Sequence, residues 1–458
     1  MIRPLWAAAE LAAATGGSAG APFDAHGVTF DSREVLGGEL FVALRGSTAD
    51  GHDFVGQALA RGAAGALVDR PVEGPHLLVP DTMAALQQLG AAARARIAGT
   101  VVGVTGSVGK TGVKEALRLA FARMAPGATH ASVKSYNNHT GVPLSLARMP
   151  AATRFGVFEM GMNHAGEIAA LTRQVRPHIA LITWVAAVHI ENFASEEGIA
   201  DAKAEIFEGL EPGGTAILPA DNRHHARLLA AARRHAGRTL GFGEAPGADV
   251  RLVDFAPDGE GSRLVADVAG ERLHCRVGMA GRHWANNALA VLAAVHAAGG
   301  DLGEAGLALA GLHDLAGRGA RVTLALGGGT ALLVDESYNA NPASMAAALE
   351  VLGSLPGRRL AVLGAMKELG VHTAAAHAGL AGLIRAAGVA ELALVGPEMD
   401  ALRLPGAVHL ADWQAAADWA RATLKPGDVL MVKGSNSVGL GRLVAALSTE
   451  FATGGQAA

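Results

Sequence analysis

The stretch Val101-Val102-Gly103-Val104-Thr105-Gly106-Ser107-Val108-Gly109-Lys110-Thr111 has the residue types needed to hold a polyphosphate. An apolar run of strand character leads into a glycine-rich turn and a Lys-Thr pair. Apolar residues at helical spacing follow, at Val113, Ala116, Leu117, Ala120 and Phe121. Gly106 and Gly109 carry no Cβ, so the backbone can curl and aim its N–H groups inward, and the new helix adds its positive end. Lys110 supplies a point charge for the outer phosphates, and the Thr111 hydroxyl can reach a bound Mg²⁺. Thr105, Gly106, Ser107, Val108, Gly109, Lys110 and Thr111 are therefore candidate contacts to a bound nucleotide polyphosphate. The first glycine of the usual G-x-x-x-x-G-K-[ST] pattern is replaced by Val104, leaving a shorter T-G-x-x-G-K-T variant. Gly103, Gly106 and Gly109 sit three apart, which excludes the G-x-G-x-x-G of a dinucleotide site.

Three further residues could do chemistry beside that loop. Glu159 ends the apolar run Phe155-Gly156-Val157-Phe158, and a strand's C-terminal end is the ligand edge of a doubly wound sheet. Thr111 and Glu159 could then face one Mg²⁺; the alternative for Glu159 is a carboxylate at a helix N-terminus. His189 follows the run Ile179 to Val185 and falls at another strand end, where a lone histidine also serves as an ordinary loop residue. Lys203 sits in Asp201-Ala202-Lys203-Ala204-Glu205-Ile206-Phe207, where spacing alone makes it a surface lysine on an amphipathic helix. His224, His225, His296 and His377 have no ligand partners at useful spacing and read as surface or packing residues. Ser32 and Arg33, at the end of an early strand, read equally as a phosphate or sugar contact and as a solvated turn.

The elements that must position these groups alternate along the chain. Residues 27–33, 39–44 and 64–68 read as short strands, with a helix at 54–61. From residue 100 the alternation is regular, with strands at 100–105, 155–160, 178–185 and 214–218. Helices are expected at 109–122, 164–174, 200–209, 222–235 and 283–298. Such repeats imply a parallel sheet with helices on both faces. Residues 248–279 break the rhythm with period-two alternation and a turn at Asp258-Gly259-Glu260-Gly261, an antiparallel patch. A third set follows, with strands at 330–335, 359–363, 391–395 and 428–432 and helices at 343–353, 373–387, 411–423 and 437–447. The fold class is α/β in three domains: a small N-terminal α/β domain (1–98), a central phosphate-loop domain with a parallel sheet and antiparallel patch (99–317), and a C-terminal Rossmann-like α/β domain (318–458). The tail from Gly454 is expected to be disordered.

Bulk properties narrow the class. Half of the 458 residues are hydrophobic, enough for several large cores. A net charge of −4 and the lack of a long basic run argue against nucleic acid as a partner. Cys275 is the only cysteine, which excludes a disulfide framework or cysteine-based zinc site and favours a reducing compartment. Met1 to Ala14 lacks the apolar block of a signal peptide, and no stretch of about 18 apolar residues suggests a membrane span. The expectation is a cytoplasmic enzyme, with monomer as the simplest state.

In order, the short motifs along nearly the whole chain resemble the Mur ligases of bacterial cell-wall synthesis. They are Asp31-Ser32-Arg33, Gly38 to Leu44, Asp50-Gly51-His52, Thr105 to Thr111, Asn137-Asn138 with Gly141-Val142-Pro143, and Glu159-Met160-Gly161 with Gly166-Glu167-Ile168. His189-Ile190-Glu191, Lys203 to Phe207, Gly281-Arg282-His283 with Asn287-Ala288, Gly317-Arg318, and Asp335 to Pro342 follow. Leu363-Gly364 with Glu368-Leu369-Gly370 and Lys433-Gly434-Ser435 complete the set. Each is short; their order makes them specific.

The resemblance implies catalytic roles for Lys110, His189 and Lys203. Lys110 would hold the β- and γ-phosphates, Thr111 and Glu159 one Mg²⁺, and His189 a second. Lys203 would be carbamylated by CO₂ and join the metal site. Asn287, Arg318 and Asp335 would contact adenine, phosphate and ribose. Ser32, Arg33, Asn137, Asn138, Tyr338, Asn339 and Asn341 would face the other substrates, with Ser32 and Arg33 on a uridine nucleotide. The implied reaction is ATP-dependent amide formation through an acyl phosphate, joining D-alanyl-D-alanine to UDP-N-acetylmuramoyl-tripeptide for peptidoglycan. The rivals are the ligase adding the third residue, diaminopimelate or lysine, and a folylpolyglutamate-synthase-like ligase. The Asp-Asn-Pro-Arg motif of the diaminopimelate form is absent, and Tyr338-Asn339-Ala340-Asn341-Pro342 favours the dipeptide-adding reaction. The chain departs from the family at Val108, Ala194, Ala365 and Asn436, the last two in the third domain.

Overall fold

The computed structural model describes residues 3–452 except Gly20, Ser47, Glu260 and Asp314. The expected disorder of the tail and one residue of the expected 258–261 turn lie outside the described residues. Among the described residues the chain forms three sheets of five, nine and six strands.

The first sheet runs, in spatial order, through Ser18–Ala19, His76–Leu78, Gly65–Val68, Glu39–Val42 and Gly27–Thr29, and is parallel except at its first pair. The strand expected at 27–33 stops at Thr29, because Asp31 turns the chain by accepting from Arg33 N at 2.9 Å and starts a 3₁₀ turn at Ser32–Glu34. Helix Thr82–Ala95, capped by Asp81, covers this sheet.

That helix also ties the first domain to the second. It packs on helix Gly141–Ala147, and Leu144 and Ala147 belong to the same apolar core as Trp6, Leu11, Leu67 and Leu89. The Trp6 indole N–H donates to Ala147 O at 2.8 Å. Buried Arg94 donates to Val175 O at 2.9 Å and Arg176 O at 2.7 Å, carbonyls at the end of helix Glu167–Val175 where a cation is favoured.

The central sheet carries the site. Its parallel strands run in the order Arg238–Gly243, Thr215–Pro219, Ile179–Ile182, Thr100–Thr105, Phe155–Glu159, Thr129–Ala131. They are almost wholly apolar because helices cover both faces. On one face lie helices Lys110–Met124 and Arg282–Ala297, burying Val113, Leu117, Phe121 and Leu289. On the other lies Glu167–Val175, burying Ile168, Leu171 and Val175. Beyond Arg238–Gly243, the strands Val250–Asp258, Gly261–Val268 and Glu271–Val277 form the expected antiparallel patch. The single Cys275 lies there, its thiol pushed up to about 11 by burial.

The third sheet orders Ala320–Leu326, Gly329–Glu336, Asp428–Lys433, Arg358–Gly364, Val389–Val395 and Val408–Leu410. It is parallel except for its first hairpin. The helix expected at 373–387 is two, Thr373–Ala378 and Leu380–Ala386. That expected at 200–209 is an α-helix over Glu196–Ala204 followed by a 3₁₀ turn over Glu205–Gly209. Among the described residues no helix is long and apolar enough to cross a membrane.

Candidate active site

Adjacent parallel strands Ile179–Ile182, Thr100–Thr105 and Phe155–Glu159 end side by side, and a cavity of about 460 Å³ opens where they stop. It lies within the size range of small-ligand sites. The Ser107-to-Gly112 loop forms its floor, Asn137, Glu159, His189, Trp284 and Asn287 its central-domain wall, and Arg318, Tyr338, Asn339, Asn341 and Lys433 its third-domain wall.

The loop's shape follows from what surrounds it. Gly106 sits at φ +148°, and a Cβ there would fall 2.0 Å from Thr183 Oγ1. That Thr183 hydroxyl donates to the carbonyls of Thr105 and Val108, and Ser107 N donates to Trp184 O at 2.7 Å, so the strand end after Ile182 clamps the loop. Gly106→Ala must push Thr183 or the loop aside. An overpacking cost of about 1–3 kcal/mol, where it falls on the nucleotide-bound loop, corresponds to a roughly 5- to 150-fold loss of nucleotide affinity. Calorimetric titration with ADP is expected to show it.

Helix Lys110–Met124 starts on this loop and points its N-terminus into the cavity. Lys110 Nζ donates to Gly106 O at 2.7 Å. Burial lowers its pKa, opposed by the charge of Glu159. The Thr111 hydroxyl donates to Glu159 Oε2 at 2.8 Å and the Asn137 amide to Glu159 Oε1 at 2.7 Å. Glu159 is thus a buried carboxylate held by two neutral donors, with no ion pair among the described residues. A buried charge in that state calls for a cation. No group of three or more His, Cys, Asp or Glu side chains is arranged to hold a metal by itself among the described residues. Thr111 and Glu159 fit a Mg²⁺ that takes its remaining ligands from phosphate and water.

Lys203 is not the surface lysine its spacing suggests. It is 2 % exposed, and no hydrogen bond or ion pair to its ammonium occurs among the described residues. The helices Glu167–Val175 and His225–Ala232 pack on its own helix. Burial, then the nearby Lys110 charge, push its pKa well below the ordinary lysine value. A neutral amine is the form that can add CO₂. His189 lies on the cavity wall in a left-handed conformation, φ +58°, with its Nδ1 against the Glu368 carboxylate of the third domain. Burial lowers its pKa, and Glu368 opposes that shift.

The remaining candidates divide. Asn287 presses against the loop at Gly109. The Arg318 guanidinium lies 4.1 Å over the Tyr338 ring, making a flat platform. Asn341 caps the helix Pro342–Ser354 while facing the cavity. Asp335 does not line the cavity: its carboxylate accepts from Gly317 N at 2.7 Å and from Ser337, fixing the turn that carries Arg318. Asn138 is also off the wall, its Oδ1 spent on Thr140 and Gly141 at the start of the next helix. Thr105 is buried beneath the loop. Ser32 donates to Gln57 Oε1 at 2.8 Å and exposed Arg33 pairs with Asp31, both in the first domain and away from this cavity. One residue further on, at Glu34, a wide groove of about 1110 Å³ begins, lined also by Arg3, Glu39, Arg96, Lys134 and Arg148; neither Ser32 nor Arg33 lines it, and Lys134 and Arg148 pair with Glu34.

Among the wall residues to which sequence reasoning gave no role are Thr183, His283, Glu336 and Lys433, the last three of them quoted only as parts of motifs. Thr183 and Lys433 stand at strand ends, the same signal that marked Glu159. Lys433 is buried and donates to Asn339 O at 2.9 Å and to Glu336. His283 is pushed down to about 4 by burial, so it presents a neutral imidazole at pH 7.

Taken together, the sheets and this cavity define a three-domain phosphate-loop enzyme whose site is walled by two domains. Residues 24–97 match the Mur ligase family, catalytic domain; residues 104–295 the Mur ligase middle domain; and residues 317–436 the Mur ligase, glutamate ligase domain. The chain belongs to the Mur ligase family. It is 37% identical over 442 residues to the UDP-N-acetylmuramoyl-tripeptide–D-alanyl-D-alanine ligase of Synechocystis sp., covering 93% of each chain. Its fold is similar to MurF from Acinetobacter baumannii, with a TM-score of 0.85 at 30% identity, covering 98% of this chain and 100% of that one. It is also similar to MurF ligase from Thermotoga maritima in complex with ADP, with a TM-score of 0.77 at 27% identity, covering 93% and 97%.

Proposed function

We propose that this chain is an ATP-dependent ligase that joins D-alanyl-D-alanine to UDP-N-acetylmuramoyl-tripeptide, a step in making the peptidoglycan precursor. It works in the cytoplasm, as a monomer, and through the cell wall it serves cell shape and division. The observation that carries this reading is the convergence of Lys110, Thr111, Glu159 and His189 on one cavity at the end of the central sheet. The buried Lys203 lies off the cavity wall but near enough for the Lys110 charge to lower its pKa.

In the first step an oxygen of the tripeptide's terminal carboxylate bonds to the γ-phosphorus of ATP and the bond to the ADP oxygen breaks. In the second, the dipeptide's amine bonds to the acyl carbon, phosphate leaves, and the ammonium proton is lost. The loop amides and the end of helix Lys110–Met124 seat the phosphates, and Lys110 neutralises charge at the transferring group. Thr111, Glu159 and His189 are the residues that would hold Mg²⁺, two ions in all, with Lys203 joining as a carbamate. Bound there, the metal would offset the repulsion between carboxylate and polyanion. Asn287, the Arg318–Tyr338 platform and Asn341 face the nucleotide and the incoming amine across the cleft. Asp335 acts by holding the Arg318 turn rather than by touching the ribose itself. Ser32 and Arg33, with the cation-rich groove next to them, take the uridine nucleotide end of the acceptor. Asn137 holds Glu159, Asn138 shapes the loop behind it, and Asn339 braces Lys433.

The test is phosphate release by the purified protein with ATP, Mg²⁺ and UDP-N-acetylmuramoyl-tripeptide, with and without D-alanyl-D-alanine. Release is expected only with both substrates. Release that needs UDP-N-acetylmuramoyl-dipeptide in place of the tripeptide, ignores D-alanyl-D-alanine and answers to diaminopimelate or lysine overturns the assignment in favour of the ligase adding the third residue.

A further inference from the structure

Two of the non-glycine residues with left-handed backbone touch each other across the domain boundary. His189 (φ +58°) is on the central domain and Glu368 (φ +64°) on the third, and the histidine Nδ1 meets the glutamate carboxylate. Neither conformation is comfortable for a side chain with a Cβ, and such backbone persists where surrounding structure imposes it.

The surroundings on both sides are built for this meeting. Behind Glu368 the third domain holds the loop firmly. Met366 N donates to buried His377 Nε2 at 2.9 Å, Lys367 N donates to Ser435 Oγ at 3.0 Å, and the Lys367 ammonium pairs with Glu398. Ahead of it, Leu369 is buried in the same apolar cluster as Ile190 and Met366. Gly370 follows, where a Cβ would fall 2.9 Å from Glu191 Cβ, so only a residue without one lets the two loops lie this close. The Glu368 carboxylate lies against Nδ1 in ion-pair contact, without a formed hydrogen bond, and Nε2 is the nitrogen left to serve a ligand; a histidine that binds a metal through one ring nitrogen commonly gives the other to a carboxylate.

We propose that Glu368 is a positioning residue that latches the third domain to His189, so that docking of that domain and presentation of His189 to the metal–phosphate end of the site are one event. This rests on the ligase reading above. The linkage is reciprocal: the latch tightens Mg²⁺ binding, and Mg²⁺ with nucleotide favours the latched arrangement.

The experiment measures binding of fluorescent ADP to the full chain as Mg²⁺ is titrated, alongside small-angle scattering with and without a non-hydrolysable ATP analogue. In Glu368→Ala the Mg²⁺ midpoint is expected to rise about tenfold, the range seen when an outer partner of a metal-binding histidine is removed. ADP affinity in EDTA should stay as in the unaltered protein, and the contraction on adding Mg²⁺ and analogue should shrink. In a His189→Ala background Glu368→Ala should add nothing further. Glu368→Gln, which keeps the size of the side chain, carries the same reading where the alanine variant melts early. A Mg²⁺ midpoint within twofold of the unaltered protein, or an equal shift in both backgrounds, overturns the latch. Failure of the unaltered protein to bind ADP at all would instead strike the ligase reading, so the two failures are distinguishable.

Discussion

Lys203→Ala is expected to lose ligase turnover by roughly 10²–10³-fold, the scale of removing one preorganised charged group from a transition-state site. Part of that activity should return on adding formate or acetate. The expectation follows from placement. Lys203 is buried, has no hydrogen-bond or ion-pair partner among the described residues, and lies within the electrostatic reach of Lys110 and Glu159. A lysine kept charged there would repel Lys110 and any bound cation. The carbamate proposed above would turn it into an anion, and a small carboxylate could then stand in for that anion once the side chain is gone. Phosphate release over a carboxylate titration, with circular dichroism to check folding, measures the effect. A folded variant that no carboxylate revives would argue that the lysine works as a cation or as packing.

Lys110→Ala is expected to cost more, about 10³-fold or beyond in turnover, with no recovery from carboxylates. Its ammonium caps Gly106 O at 2.7 Å and stands at the mouth of the loop, where the transferred group's charge must be met. Lys110→Arg should restore little. The planar guanidinium is wider than the ammonium, and the residue is closed in by the loop on one side. Single-turnover measurement at saturating ATP separates this loss from weaker nucleotide binding. A Lys110→Ala protein that transfers phosphate at a tenth of the normal rate would remove the lysine from the reaction.

How far the residues could be read beforehand depended on how local each cause was. The loop at 106–111 and the carboxylate at Glu159 were legible because strand ends and glycine spacing are short-range signals, and Thr111 and Glu159 do meet, at 2.8 Å. The three-domain α/β arrangement was legible from alternation, which needs only a window of a dozen residues. Lys203 was misjudged by spacing because its burial comes from helices outside its own window. Asn138 and Asp335 carry side chains of binding type, yet both spend their oxygens on nearby backbone, a competition that residue identity does not reveal. The pairing of His189 with Glu368 joins segments in different domains, so nothing within reach of either residue announced it.

The shared core between the first two domains has a consequence for how the protein is made. On the ribosome, the first domain emerges before residues Leu144 and Ala147, which fill one wall of its interior. Until helix Gly141–Ala147 appears, Trp6, Leu11 and Leu89 have an open side and the Trp6 indole lacks its acceptor. The nascent segment therefore matures only after the phosphate-loop residues have already emerged, and a truncated gene that ends at the first domain's boundary would deliver a chain with an adhesive apolar flank.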